Sequence, residues 1–111
     1  MRIAIDIDGV LCNDMHERFR EATPNKESIA IVNKLYGKGH TIVIYTARGV
    51  REHDIDAFDF TIAQLSEWGV KYHELNNSKP HFDLIVDDRA FQSVEALKKA
   101  MEKMTGEIWE Y

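Results

Sequence analysis

The sequence predicts an α/β fold of three layers, Rossmann-like in plan, with a central parallel sheet covered by helices on both faces. Short apolar, β-branched runs alternate along the chain with segments whose apolar residues recur at helical spacing. Such alternation is satisfied by right-handed βαβ crossovers and a parallel sheet. At 111 residues the chain is long enough for one layered core, so residues 1–111 are read as a single domain.

Arg2 to Ile7 is short and β-branched and reads as a buried parallel strand, yet it runs into Asp6 and Asp8 and then Gly9. Side chains two apart in an extended chain share a face, so the two carboxylates are forced together. Strands are depleted in Asp, and crowded carboxylates repel, so a cation or a proton is expected to offset them. A short helix is expected over 13–20, interrupted by "TPN", where Asn25 or Thr23 caps the next one. From Ser28 onward Ile29, Val32, Leu35 and Tyr36 keep helical spacing until "GKGH" at Gly37 to His40 stops the helix.

"TIVIYTAR", Thr41 to Arg48, is a second buried strand ending in polar residues. Ile55, Phe58, Ile62 and Leu65 predict one apolar face of a helix that ends at Gly69. "VKYHEL", Val70 to Leu75, is a third and shorter strand, and "NNSKP", Asn76 to Pro80, is a loop by composition. "FDLIVDD", Phe82 to Asp88, repeats the first pattern of an apolar strand ending in two acids. Val94, Leu97, Met101 and Met104 mark a last long helix, and "EIWEY" a final edge strand.

A formal net charge of -5 argues against an electrostatic grip on nucleic acid, which needs a basic face. With one cysteine, Cys12, no internal disulfide can form; its expected role is that of a reduced, partly buried small apolar residue rather than a nucleophile. His16, His40, His53, His73 and His81 lack the paired spacing of a zinc site. No apolar stretch approaches a membrane span, and Asp6 interrupts the opening residues too early for a signal peptide, so the expectation is a cytoplasmic protein with no membrane partner.

In open parallel sheets ligands bind outside the carboxyl ends of the strands. That rule gathers Asp6 and Asp8, Thr46 with Arg48, Lys79, and Asp87 with Asp88. Several carboxylates at one mouth suit Mg²⁺, which takes oxygen ligands from one or two carboxylates together with substrate phosphate oxygens. Lys79 and Thr46 are suitable partners for the same phosphate. A remaining carboxylate can attack phosphorus, and a second acid two residues on can protonate the leaving oxygen and then activate water.

"DIDGV" followed by "YTAR", "SKP" and "VDD" resembles the four-motif signature of the haloacid-dehalogenase-like (HAD) phosphohydrolases, and the resemblance covers nearly the whole chain. It implies a HAD-like fold in which Asp6 is the nucleophile and Asp8 the general acid/base, whose backbone carbonyl helps to hold Mg²⁺. Thr46, Ala47 and Lys79 would bind the phosphoryl group, and Asp87 and Asp88 would complete a metal site shared with Asp6 and Asp8. Val10 stands where many relatives have Thr. The segment between Asp8 and Thr46 is mostly used by the βαβ unit, so no cap domain is expected. Capless relatives act on large substrates or on sugar phosphates, the latter with a neighbouring subunit covering the site.

The wording around "TARG" and "KP.FDL" resembles small phosphatases of capsular and lipopolysaccharide sugar biosynthesis. The expected function is therefore Mg²⁺-dependent hydrolysis of a phosphorylated small molecule, such as a sugar phosphate, by a homo-oligomer that uses the Cys12 to Arg20 segment or the "EIWEY" edge. Arg48 and Arg89 are candidate contacts for a second anionic group of the substrate, with surface ion pairing as the alternative for each. A nucleotidase or polynucleotide-end phosphatase is the rival activity, and a catalytically weak HAD-like binding protein the rival class. A phospho-accepting receiver domain fits poorly, because "VKYHEL" offers no lone Asp at its end.

Overall fold

The computed structural model describes residues 1–50, 52–77 and 84–86, together with 98, 99 and 102, which are helical. Lys79, Asp87, Asp88 and Arg89 lie outside the described residues, as do most of the expected last helix and the "EIWEY" strand. The order is β1 (Arg2–Asp6), a 3₁₀ turn (His16–Glu21), α1 (Lys26–Gly37), β2 (Thr41–Tyr45), α2 (Ala57–Glu67), β3 (Glu74–Asn76) and β4 (Leu84–Val86). The four strands form one parallel sheet in the order β3-β2-β1-β4. Among the described residues no helix is long and apolar enough to cross a membrane.

The first two strands are legible because both of their faces are buried. Ile3 pairs with Ile42 and Ile5 with Ile44, and all four are fully buried. They join Ile29, Val32 and Leu35 of α1, Leu65 of α2 and Val70 in one cluster. Ala4 and Val43, on the opposite face, are also without solvent exposure. Burying one such Ile or Leu side chain contributes about 1.5–3 kcal/mol, so this cluster is the main adhesive of the sheet.

α1 begins as expected, with the Asn25 side chain accepting the Ser28 N–H at 3.1 Å. Thr23 is used differently. It exchanges backbone and side-chain hydrogen bonds with Asn13, closing the loop that carries the 3₁₀ turn. That turn replaces the helix expected over 13–20. Asp14 accepts the His16 N–H at 3.0 Å and His16 takes φ 53°, so a local side-chain bond competes with a helical start.

Two expectations need correction. The third strand covers Glu74–Asn76 rather than Val70 to Leu75, and Val70 instead packs into the core before the strand starts. In α2 the buried face is Ala57, Thr61, Gln64 and Leu65, whereas Ile62 is exposed and Ile55, ahead of the helix, is 89% exposed. Only Leu65 of the predicted apolar face belongs to the buried set. The helix turns two polar side chains inward because a buried guanidinium needs them, as the site geometry shows.

Candidate functional site

The sheet order makes β1 the point where the chain reverses its direction of growth: β2 and β3 lie to one side and β4 to the other. Crevices at such points, beyond the carboxyl ends of the strands, are the usual ligand sites of open parallel sheets. Asp6 is the last residue of β1, paired in register with Tyr45 at the end of β2. Its Oδ1 accepts the N–H of Ile7 at 2.8 Å. Ile7 is fully buried and its carbonyl accepts from Val10 and Leu11, so the chain turns sharply just after Asp8. Gly9 takes φ 86° in this turn, a conformation that costs an L residue roughly 1–2 kcal/mol.

The charge that offsets Asp8 is a guanidinium. Arg48 Nε donates to Asp8 Oδ2 at 3.0 Å and Oδ1 at 3.2 Å, and a terminal nitrogen donates to Oδ1 at 2.8 Å. The Arg48 side chain is only 2% exposed, against 21% for Asp8. Its other terminal nitrogen donates to Gln64 Oε1 at 2.6 Å and Thr61 Oγ1 at 3.4 Å. The guanidinium carbon lies 5.0 Å from the centre of the Phe19 ring. Thr61 and Gln64 carried no site signal in the sequence, because their role depends on an arginine thirteen and sixteen positions away.

Thr46 follows β2 and is 3% exposed. Its N–H donates to Asn76 and its hydroxyl accepts the Arg48 N–H at 3.0 Å, which leaves the hydroxyl proton available to donate. Ala47 is exposed and lines the cleft. Gly49 keeps the loop close to α2: a Cβ there would meet Ala57 Cβ at 2.5 Å. Cys12 is buried behind Asp8, and burial first, then the Asp8 charge, pushes its thiol up to about 12.

These elements border a cleft of about 380 Å³. Asp6, Asp8, Ala47, Arg48 and Gly49 form its floor and one wall; Asp14, His16, Glu17 and Phe19 and the pair Glu52 and Asp54 form the rest. Among the described residues six carboxylates line it against one arginine and one histidine. Asp54 is partly offset by Arg20 at 3.0 Å. None of Asp14, Glu17, Glu52 and Asp54 is among the site residues expected from the sequence, and the structure brings them to the border of this cleft. Of the expected site residues, Asp6, Asp8, Thr46, Ala47 and Arg48 converge at the strand ends; Lys79, Asp87, Asp88 and Arg89 are outside the described residues.

Mg²⁺ is the cofactor the motifs imply, and the described donors fit a part of its shell. The Asp6 carboxylate faces the cleft, while the Asp8 carboxylate is engaged by Arg48, so the contribution of Asp8 would come through its backbone carbonyl. Among the described residues no group of three metal-ligating side chains is assembled. Asp87 and Asp88 directly follow β4, whose Val86 pairs with Ile5 beside Asp6.

No family model matches the sequence, and no curated protein does. The fold is similar to the crystal structure of an MCSG target from Vibrio cholerae, at 24% identity and a TM-score of 0.71. The likeness covers 96% of this chain and 95% of that one, so the two proteins share a small α/β fold over nearly their whole lengths.

Proposed function

We propose that the protein is a Mg²⁺-dependent phosphomonoester hydrolase with a three-layer, capless HAD-like fold, acting through an aspartyl-phosphate on Asp6. The observation that carries this reading is the placement of Asp6 and Asp8 at the end of β1, at the sheet's reversal point, with Thr46 at the end of β2. An Asp6 oxygen attacks phosphorus while the bond to the leaving oxygen breaks, and Asp8 gives that oxygen its proton. Asp8 then takes a proton from water as the water oxygen attacks phosphorus. The bond to Asp6 breaks, phosphate departs, and both side chains return to their starting states. Thr46, Ala47 and Lys79 hold the phosphoryl oxygens. Bound by Asp6, the Asp8 carbonyl, Asp87 and Asp88, Mg²⁺ would supply neutralising charge.

The acidic rim supports a substrate that carries little negative charge beyond its phosphoryl group, because added anions would face Asp14, Glu17, Glu52 and Asp54. A sugar phosphate, as in polysaccharide biosynthesis, fits this condition, as does a nucleoside monophosphate, whereas a polynucleotide end with its added phosphodiesters does not. The 12–20 segment stays a candidate subunit surface except at Cys12 and Phe19, which are buried, and a homo-oligomer in the cytoplasm completes the proposal. The test is a steady-state panel of sugar phosphates, nucleotides and phosphorylated oligonucleotides. Turnover of sugar phosphates, lost to a chelator and restored by Mg²⁺, is expected. Absence of turnover across the panel, with no Mg²⁺-dependent rise in melting temperature, would overturn the proposal.

A further inference from the structure

Arg48 has a fully subscribed guanidinium. Arginine has five N–H donors, and the protein supplies a partner for each. Nε serves Asp8; one terminal nitrogen serves Gln64 and Thr61; the other serves Asp8 and the Cys12 sulfur at 3.6 Å. An anionic group of a substrate would have to displace one of these partners to reach Arg48, the weakest being Thr61 at 3.4 Å and Cys12 at 3.6 Å. The anchors are themselves fixed. Gln64 Nε2 donates to the Phe19 carbonyl at 3.2 Å, and the Thr61 hydroxyl donates to the Ala57 carbonyl at 2.8 Å. A rigid path thus runs from α2 through Arg48 to one carboxylate.

That carboxylate is loaded unevenly. Asp8 Oδ1 accepts from Arg48 Nε and one terminal nitrogen and lies 3.5 Å from the Cys12 thiol, whose single proton also has the Ile7 carbonyl at 3.6 Å, whereas Oδ2 accepts only from Nε among the described residues. Buried ion pairs contribute little net stability compared with apolar packing, so stabilisation is a weak reason for this arrangement. Proton transfer, by contrast, requires a carboxyl oxygen held within a few tenths of an ångström of its target, and supporting hydrogen bonds provide that precision.

We propose that Arg48 is a positioning residue for proton transfer: it fixes the Asp8 carboxylate in one orientation, with Oδ1 saturated and Oδ2 left to carry the exchanged proton. The inference rests on Asp8 being the general acid/base of the proposed hydrolase.

The test combines Arg48→Lys, which keeps the charge but loses the fork, with Gln64→Ala, which keeps Arg48 but removes its 2.6 Å anchor. With 4-nitrophenyl phosphate the leaving group departs without a proton, so the first half-reaction should persist while water activation slows. Arg48→Lys should then lower kcat on the order of 10²-fold, with a nitrophenolate burst approaching one equivalent per folded chain. Gln64→Ala should show the same burst with a smaller fall in kcat. In an Asp8→Asn background, Arg48→Lys should change kcat less than threefold, because the group it positions is already gone.

A structural role predicts otherwise: burst and steady state falling together, and additive losses in the double variant. Either result overturns the inference, as does a kcat for Arg48→Lys within threefold of wild type. If Arg48→Lys fails to fold, the burst in Gln64→Ala decides between the two. Wild-type turnover abolished by Asp6→Asn alongside any of these failures leaves the hydrolase reading standing. Wild-type turnover that survives Asp6→Asn overturns that reading and this inference with it.

Discussion

Cys12 and Arg48 touch the same carboxylate with opposite electrostatic consequences. Arg48 brings a charge that Asp8 welcomes; the Cys12 thiol, buried beside that carboxylate, is held protonated, at about 12 against an ordinary 9.0. Thiolates, not thiols, are the nucleophiles, so Cys12 should resist alkylation by iodoacetamide in the native protein at pH 8 and react once the chain is unfolded. The raised value also fixes a pH window. Between about 9 and 12 the unfolded chain has lost the thiol proton and the folded one has kept it, so unfolding releases a proton and stability falls as pH rises. Cys12→Ala should remove up to about 1.4 kcal/mol per pH unit of that decline, read from urea unfolding midpoints at successive alkaline pH values. Identical alkaline slopes in the two proteins would contradict this account of Cys12.

At the scale of single elements, the most local signals are the most dependable. The start of α1 is an Asn–x–x–Ser hydrogen bond within four residues, and it is present at 3.1 Å. Asn25→Ala should therefore cost about 1 kcal/mol, measurable as a lower urea midpoint with an unchanged slope, and no loss would show that the cap is dispensable. β1 and β2 were equally legible, since Ile3, Ile5, Ile42 and Ile44 must be buried whatever covers them. The face of α2 was not. Hydrophobic periodicity assumes that inward means apolar, and here Thr61 and Gln64 point inward to satisfy Arg48 while Ile62 is left outside. A helix that serves a buried charge carries its reason in another part of the chain. The same holds for the acidic rim at Asp14, Glu17, Glu52 and Asp54, whose meaning comes from the cleft they share.

At the scale of the whole molecule, the sheet order explains why separate motifs can act as one site. Reversal at β1 opens a crevice beside its carboxyl end, and the carboxyl end of β2 brings Thr46 and Arg48 to the same place. The acidic residues that look misplaced at the end of an apolar strand thereby lie at the carboxyl edge of the sheet, where both line the cleft and Asp8 is also engaged by Arg48. The central claim is that Asp6 is the attacking group. It is tested most directly by mass spectrometry of Asp8→Asn, quenched in acid after incubation with Mg²⁺ and a turned-over phosphate ester. In the proposed mechanism loss of Asp8 slows breakdown of the covalent intermediate, while an ester such as 4-nitrophenyl phosphate, whose leaving group needs no proton, still forms it. A phosphoryl adduct should therefore accumulate on Asp6, mapped by peptide fragmentation, and Asp6→Asn should show neither adduct nor turnover. An adduct-free Asp8→Asn protein together with sustained turnover in Asp6→Asn would contradict the account.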